Sequence, residues 1–193
     1  MHTLSTAFVL GYHGCDRSVG EQLLKSEPFR PSQNPYDWLG SGVYFWESNP
    51  RRALAFAGEV KSRSGDISEP FVVGAVVELG TCLDLTTTSG IEMVRAAYLS
   101  LQASSNAART PMPVNKRDFL LRYLDCMVVN RVHAILDKTG SQPIDTVKGI
   151  FTEGDPIYDG AGFMEKTHTQ ICVCNHDCIK GVFRVQERDL ADH

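Results

Sequence analysis

Two short segments near the start of the chain carry groups suited to holding a flat amide. One apolar run ends in His13-Gly14, and the run Gly-Ser-Gly-Val-Tyr-Phe begins at Gly40. A glycine leaves its backbone N–H and C=O uncovered, so Gly14 can offer the adjacent donor and acceptor that a carboxamide needs. Tyr44 can stack on a planar ring, and Phe56 can close the other side. These residues predict a site for an aromatic carboxamide such as nicotinamide.

The strands that position these groups are predicted by the same residues. The segment 7–14 is rich in strand-forming residues and stops at a glycine, which places His13 at the end of a buried strand. The segment 40–46 follows two glycines and alternates in character, so Tyr44 and Phe45 should point to opposite faces of a strand.

A helix is predicted directly after the second strand. Ser48 or Asn49 can serve as its N-cap, and Pro50 suits its first helical position. The helix should cover residues 51–58 and place Phe56 on its inner face together with small apolar side chains.

The rest of the chain alternates predicted helices and strands without a linker or repeat, so we expect a single domain over residues 1–193. The combination indicates an α+β fold. A continuous strand is expected at 71–79, helices at 84–101 and 116–133, and short strands at 147–151, 167–174 and 178–185.

The order of these motifs resembles the ADP-ribosyltransferase superfamily, in the branch of the poly-ADP-ribose polymerases and diphtheria toxin. That pattern is a strand ending in His-Gly, a Gly-x-Gly-x-Tyr-Phe strand, a short helix with a second aromatic residue, and a late strand with a glutamate. The resemblance implies a core of two packed, mostly antiparallel β-sheets with flanking helices. It implies NAD as co-substrate, with His13 on a ribose, Gly14 on the carboxamide, and Tyr44 and Phe56 around the nicotinamide ring.

The late strand departs from this pattern, because Gln170 stands where the family has its glutamate. The family's carboxylate holds the 2′-hydroxyl of the nicotinamide ribose and stabilises the positive charge that develops as nicotinamide leaves. A glutamine can hydrogen-bond that hydroxyl but carries no negative charge and cannot act as a base. The resemblance thus implies His13, Tyr44 and Gln170 as the catalytic set and supports NAD binding more strongly than any particular transfer.

Further residues are expected at the two ends of the bound NAD. Arg52, at the start of the predicted helix, could pair with the pyrophosphate. In the family, the loop before the late strand faces the acceptor. The candidates for the acceptor side are Glu153, Asp155, Glu165 and His168.

The resemblance implies cleavage of the bond between nicotinamide and ribose, with transfer of ADP-ribose to a macromolecular acceptor, either protein or nucleic acid. A compact enzyme of this kind looks like a bacterial or phage toxin or defence effector, which would have an antitoxin or regulatory partner. Three alternatives stay open: a catalytically silent module that binds NAD or ADP-ribose, an NAD glycohydrolase, and a plain structural or interaction protein.

Composition narrows the remaining possibilities. The 193 residues carry a net charge of −4, which disfavours non-specific duplex binding. There is no run of 18 apolar residues and no signal-peptide pattern, so we expect a cytoplasmic protein without membrane contact. Cys172, Cys174 and Cys178 have some zinc-ligand character beside His168 and His176. The family strand implies buried thiols instead, and no metal is expected.

Overall fold

A computed structural model describes residues 8–117 and 120–191, and within these ranges the chain forms an α+β fold of seven strands and four α-helices. The strands are β1 (Phe8–Asp16), β2 (Val43–Glu47), β3 (Pro70–Glu78), β4 (Cys82–Asp84), β5 (Thr146–Phe151), β6 (His168–Val173) and β7 (Ile179–Arg184). The helices are α1 (Arg17–Leu23), α2 (Pro50–Ser64), α3 (Thr88–Ala108) and α4 (Tyr123–Lys138).

The strands are joined in one mixed sheet with the order β4-β5-β6-β2-β1-β3-β7. Strands β4 and β5 run parallel, and the other neighbouring strands are antiparallel. The predicted α+β class is confirmed. The sequence predicted two packed sheets, whereas hydrogen bonding between β1 and β2 links all seven described strands into one.

That link is a narrow waist. Strands β1 and β2 are paired only at Gly11–Glu47 and Tyr12–Trp46, whereas β1 pairs with β3 along its whole length. Beyond Tyr12 the two strands separate. The sheet therefore has two halves, β3-β7 with β1 and β4-β5-β6 with β2, that meet at a gap.

The two faces of the sheet carry different layers. Val43, Phe45 and Ile171 lie in a core cluster that also contains Leu23 and Phe29, so α1 and the segment after it cover this face. Side chains on a strand alternate between faces, and Tyr44, Trp46, Gln170 and Cys172 therefore occupy the opposite face.

Two separate groups of helices cover this opposite face. Helices α3 and α4 pack over β4, β5 and β6 in one cluster, against which Tyr44 is placed. Helix α2 packs over β1 and β3 in another cluster, which contains Trp46 and Val72. The boundary between the two helical layers thus passes between Tyr44 and Trp46.

Local capping explains where α2 begins and ends. The Asn49 side chain accepts a hydrogen bond from the Arg52 N–H at 3.0 Å, and Pro50 occupies the first turn, as predicted. The helix ends at Gly65, which has a φ of 75° and donates its N–H to the Lys61 carbonyl. Its length exceeds the predicted 51–58.

Candidate functional site

The gap between β1 and β2 is where the His-Gly motif lies. In an antiparallel ladder, successive residues point their N–H and C=O groups to alternate sides of the strand. The Leu10 carbonyl accepts the Ser48 N–H at 2.9 Å, which places the peptide groups of Leu10, Tyr12 and Gly14 on the β2 side. The β1–β2 ladder ends at Tyr12, so the N–H and C=O of Gly14 are directed into the gap.

His13 spans the same gap. Its Nδ1 donates to the Tyr44 carbonyl at 2.9 Å, and its ring packs edge-on against Phe29 with 5.4 Å between the ring centroids. The carbonyl can only accept, so the proton is assigned to Nδ1 and the Nε2 of the neutral ring is an acceptor. Burial lowers the pKa of His13, against the opposing effect of this hydrogen bond.

Tyr44 offers a ring face to a ligand, because its hydroxyl is already engaged. The Oη donates to the Gly40 carbonyl at 2.8 Å and accepts the Leu39 N–H at 3.0 Å. These two bonds hold the preceding Gly-Ser-Gly turn against the strand. The ring is therefore fixed in place before any ligand arrives.

Gln170 has an orientation that its sequence position could not reveal. The Trp38 indole Nε1 donates to the Gln170 Oε1 at 2.6 Å, and both side chains are buried. An indole N–H can only donate, which identifies the accepting atom as oxygen. The Gln170 amide nitrogen donates to no other described residue. The free end of the side chain is therefore a donor, where the family's carboxylate would be an acceptor.

Phe56 does not stand alone over Tyr44. Its ring lies 4.8 Å from that of Trp46, which is on the same strand face as Tyr44, two residues further on. The Trp46 ring is in turn 6.0 Å from the His168 ring. The second aromatic wall of the site is therefore a Phe56–Trp46 pair.

The charge of Arg52 is balanced by two carboxylates. Its Nη2 lies 2.7 Å from the Glu153 Oε2 and 3.3 Å from the Glu59 Oε2. Lys166 joins the same network at 3.0 Å from Glu59 and 3.7 Å from Glu153. These ion pairs fasten the loop between β5 and β6 onto α2. A pyrophosphate would have to displace a carboxylate to bind Arg52, and that role stays a prediction.

Three buried nitrogen atoms beside this network have no hydrogen-bond partner among the described residues. They are Trp46 Nε1, Arg52 Nε and His168 Nε2. The His168 Nδ1 donates to the Lys166 carbonyl, so the Nε2 of the neutral ring is an acceptor. The group thus presents two donors and one acceptor in one buried region. Unpaired buried polar atoms are uncommon in folded proteins and are typical of functional sites.

The predicted acceptor-side residues occupy two environments. Glu153 belongs to the ion network and His168 is buried, with its ring stacked on Phe151 at 5.4 Å. Asp155 and Glu165 have exposed side chains on the loop between β5 and β6, which is closed by a backbone hydrogen bond between them. Glu153 and His168 are therefore near the site, and the other two lie on its outer loop.

The cysteines carry free thiols in the part of the chain that the structure describes. Cys172 and Cys178 are buried, and the Cys174 sulfur lies 3.9 Å from the His133 Nε2. Within residues 8–117 and 120–191, no three His, Cys, Asp or Glu side chains converge to hold a metal ion.

Stability should depend on pH through the two buried imidazoles. Burial lowers the pKa of His13 and of His168 below the ordinary value of 6.5. The unfolded chain then binds more protons than the folded chain as the pH falls below about 6.5, and the free energy of unfolding should decrease. Urea unfolding between pH 8 and 5 should show this decrease. It should be weaker in His168→Gln and unchanged in His176→Gln, whose side chain is exposed. Identical pH profiles for the two variants would contradict the assignment.

Sequence reasoning missed Trp38, the residue that orients Gln170. The two are 132 positions apart, and Trp38 belongs to no motif. It also missed Arg122, whose guanidinium lies over the rings of Trp38 and Phe151 at 4.9 Å and 4.4 Å. A tryptophan shortly before the Gly-Ser-Gly turn was the one available signal, and by itself it indicates only a core residue.

Comparisons with known proteins add one short match. The chain is 47% identical over 36 residues to an uncharacterized protein of Methanocaldococcus jannaschii, which covers 19% of this chain and 17% of that protein. No family model and no solved structure matches the chain. In the described residues, no helix is both long and apolar enough to cross a bilayer.

Proposed function

We propose that this chain is an NAD-dependent ADP-ribosyltransferase whose nicotinamide site is the gap between β1 and β2. The arrangement of the ADP-ribosyltransferase core is part of this proposal. One observation carries it: Gly14, Tyr44 and Gln170, which are far apart in sequence, lie on one face of three adjacent strands.

The residues in the gap fit a nicotinamide group. The peptide N–H and C=O of Gly14 match the C=O and NH₂ of a carboxamide, and the fixed Tyr44 ring supplies a stacking surface. His13 is held at the same gap by the Tyr44 carbonyl, with its Nε2 available to accept a ribose hydroxyl. The Phe56–Trp46 pair closes the side formed by α2. Binding of this kind would hold the ring while the bond to ribose breaks.

A second function, a catalytically silent NAD or ADP-ribose-binding module, is favoured by the orientation of Gln170. Trp38 occupies the amide oxygen, so the end that is left is an N–H donor. A donor cannot stabilise a developing positive charge on the ribose. It can still hold a hydroxyl oxygen, which is sufficient for binding.

Incubation with NAD labelled in its adenylate part tests the proposal directly. Nicotinamide release is followed together with label on the protein and nucleic-acid fractions of an added lysate. Transferase activity gives release and label, a glycohydrolase gives release without label, and a silent module binds NAD with neither. Absence of NAD binding by calorimetry would overturn all three.

Tyr44 variants connect the result to the site. Tyr44→Ala is expected to weaken NAD binding about 10- to 100-fold, because stacking of one aromatic ring contributes about 1–3 kcal/mol. Tyr44→Phe keeps the ring and should retain most of the affinity. Phe163→Ala, at an aromatic residue that is 66% exposed on the outer loop, is the matched control and should bind NAD normally. Equal affinity in Tyr44→Ala and the control would place the NAD elsewhere.

A further inference from the structure

A second cavity lies between α3 and α4 and has no part in the proposed nicotinamide site. Its volume is about 310 Å³, and its walls are mostly apolar. Helix α3 supplies Val94 and Tyr98, helix α4 supplies Val128 and Val129, and the Trp38 indole also lines the cavity. This size is near the lower limit of ligand pockets, which span about 300–1,000 Å³, and suits one small heterocycle.

Three charged side chains line the cavity, and they come from opposite walls. Arg95 is on α3, Asp125 is on α4, and Arg122 precedes α4. Arg95 is exposed and makes no ion pair or hydrogen bond with any described residue. The three groups together carry a formal charge of +1. An unpaired guanidinium at an apolar cavity is suited to a phosphate or another anion.

Asp125 supplies the opposite chemistry. Its Oδ1 accepts the Asn115 Nδ2 at 2.8 Å, and its Oδ2 is 3.7 Å from Arg122, a distance that leaves lone pairs on Oδ2 free to accept a hydrogen bond. A carboxylate here would accept from an amino group and repel a carbonyl. Guanidinium and aromatic planes, such as those of Arg122 and Trp38, are surfaces on which nucleobases stack.

From these groups we infer that the α3–α4 cavity binds a nucleotide whose base carries an exocyclic amino group. The base lies against Trp38 and Arg122, the amino group donates to Asp125, and the phosphate binds Arg95. This inference goes beyond the NAD proposal and does not depend on it, because none of the cavity residues belongs to the β1–β2 gap. The Trp38 indole, which orients Gln170, is the direct connection between the two places.

The two tryptophans allow the cavity to be observed separately. Trp38 and Trp46 are the only tryptophans in the chain, so Trp46→Phe leaves Trp38 as the single fluorophore. Cytidine monophosphate should change the Trp38 fluorescence of this variant in a saturable manner. Uridine monophosphate, which has a carbonyl in place of the amino group, should bind at least about tenfold more weakly, as should cytidine without phosphate.

Two substitutions decide the contacts. Asp125→Asn can donate to the uracil carbonyl, so the preference for cytidine over uridine monophosphate should disappear. Arg95→Gln should weaken cytidine monophosphate binding about tenfold, and Arg30→Gln, another exposed arginine, should leave it unchanged. Because Arg95 is exposed, its replacement tests the inference even if the Asp125 variant does not fold.

The source of the nucleotide is read from a further titration. Tighter binding of a single-stranded pentamer of deoxycytidine than of the monophosphate assigns the cavity to a nucleic-acid strand, and equal or weaker binding assigns it to a free nucleotide. The inference is overturned if cytidine monophosphate leaves Trp38 fluorescence unchanged at millimolar concentration, or if NAD displaces it from the cavity. These results leave the NAD assay unaffected, so failure of one proposal is distinguishable from failure of the other.

Discussion

Gly14→Ala is expected to lower the free energy of unfolding by about 3 kcal/mol, the upper range for overpacking of a tightly packed site. A Cβ at this position would lie 2.1 Å from the Ala53 carbonyl oxygen. That oxygen belongs to the backbone of α2, so no change of rotamer relieves the clash. Helix α2 must move away from β1, and it carries Phe56 and Arg52 with it. Urea unfolding monitored by circular dichroism measures the loss.

Gly58→Ala is the matched control within the same helix. A Cβ at Gly58 would meet no atom within 4 Å. Alanine there should stabilise the protein by about 0.5–1 kcal/mol, since it restricts the unfolded backbone and favours the helix. If both variants had the wild-type stability, α2 would not pack on Gly14 as the structure shows, and the position of Phe56 would need revision. NAD affinity should fall in the Gly14 variant alone.

Gln170→Glu is expected to raise the rate of nicotinamide release by about 100-fold, the scale on which one well-placed electrostatic group acts in a catalytic site. One carboxylate oxygen can still accept the Trp38 N–H, so the side chain should keep its orientation. The other oxygen then replaces an N–H donor with an anionic acceptor. A negative charge at this point would stabilise the charge that develops on the ribose as nicotinamide leaves.

Stopped assays with labelled NAD measure this rate, with Gln170→Met as a neutral variant of similar size. We expect the methionine variant to lose both the Trp38 hydrogen bond and any activity of the wild type. A glutamate variant that binds NAD but releases nicotinamide no faster than the wild type would contradict the prediction. Glutamine would then be the residue with which the site works.

Local features could be predicted from the sequence because they depend on residues a few positions apart. Asn49 and Pro50 determine the start of α2 through a side-chain cap and a fixed φ. The alternation of Tyr44 and Phe45 between two sheet faces follows from strand geometry alone. The candidate site residues were identified through a motif order, which the fold then places on neighbouring strands.

Element ends were less predictable where a distant or misleading residue decides them. Gly58 suggested the end of α2, yet it tolerates the helix interior, and the helix stops at Gly65, whose positive φ ends it. Helix α4 was expected over 116–133, a range that includes residues 118 and 119 outside the described part of the chain. It begins at Tyr123, where the Asn115 side chain accepts the N–H groups of Leu124 and Asp125.

Only the tertiary structure decided the chemistry of the site. The order of the strands joins segments that are more than a hundred residues apart, and the early end of the β1–β2 ladder directs Gly14 into the gap. The donor end of Gln170 is presented because Trp38 reaches it from a different segment. Which hydrogen-bonding atoms remain free depends on every neighbour that packs around a side chain. Residue types and local order are therefore determined by the sequence alone, whereas the atoms available to a ligand are determined by packing between distant segments.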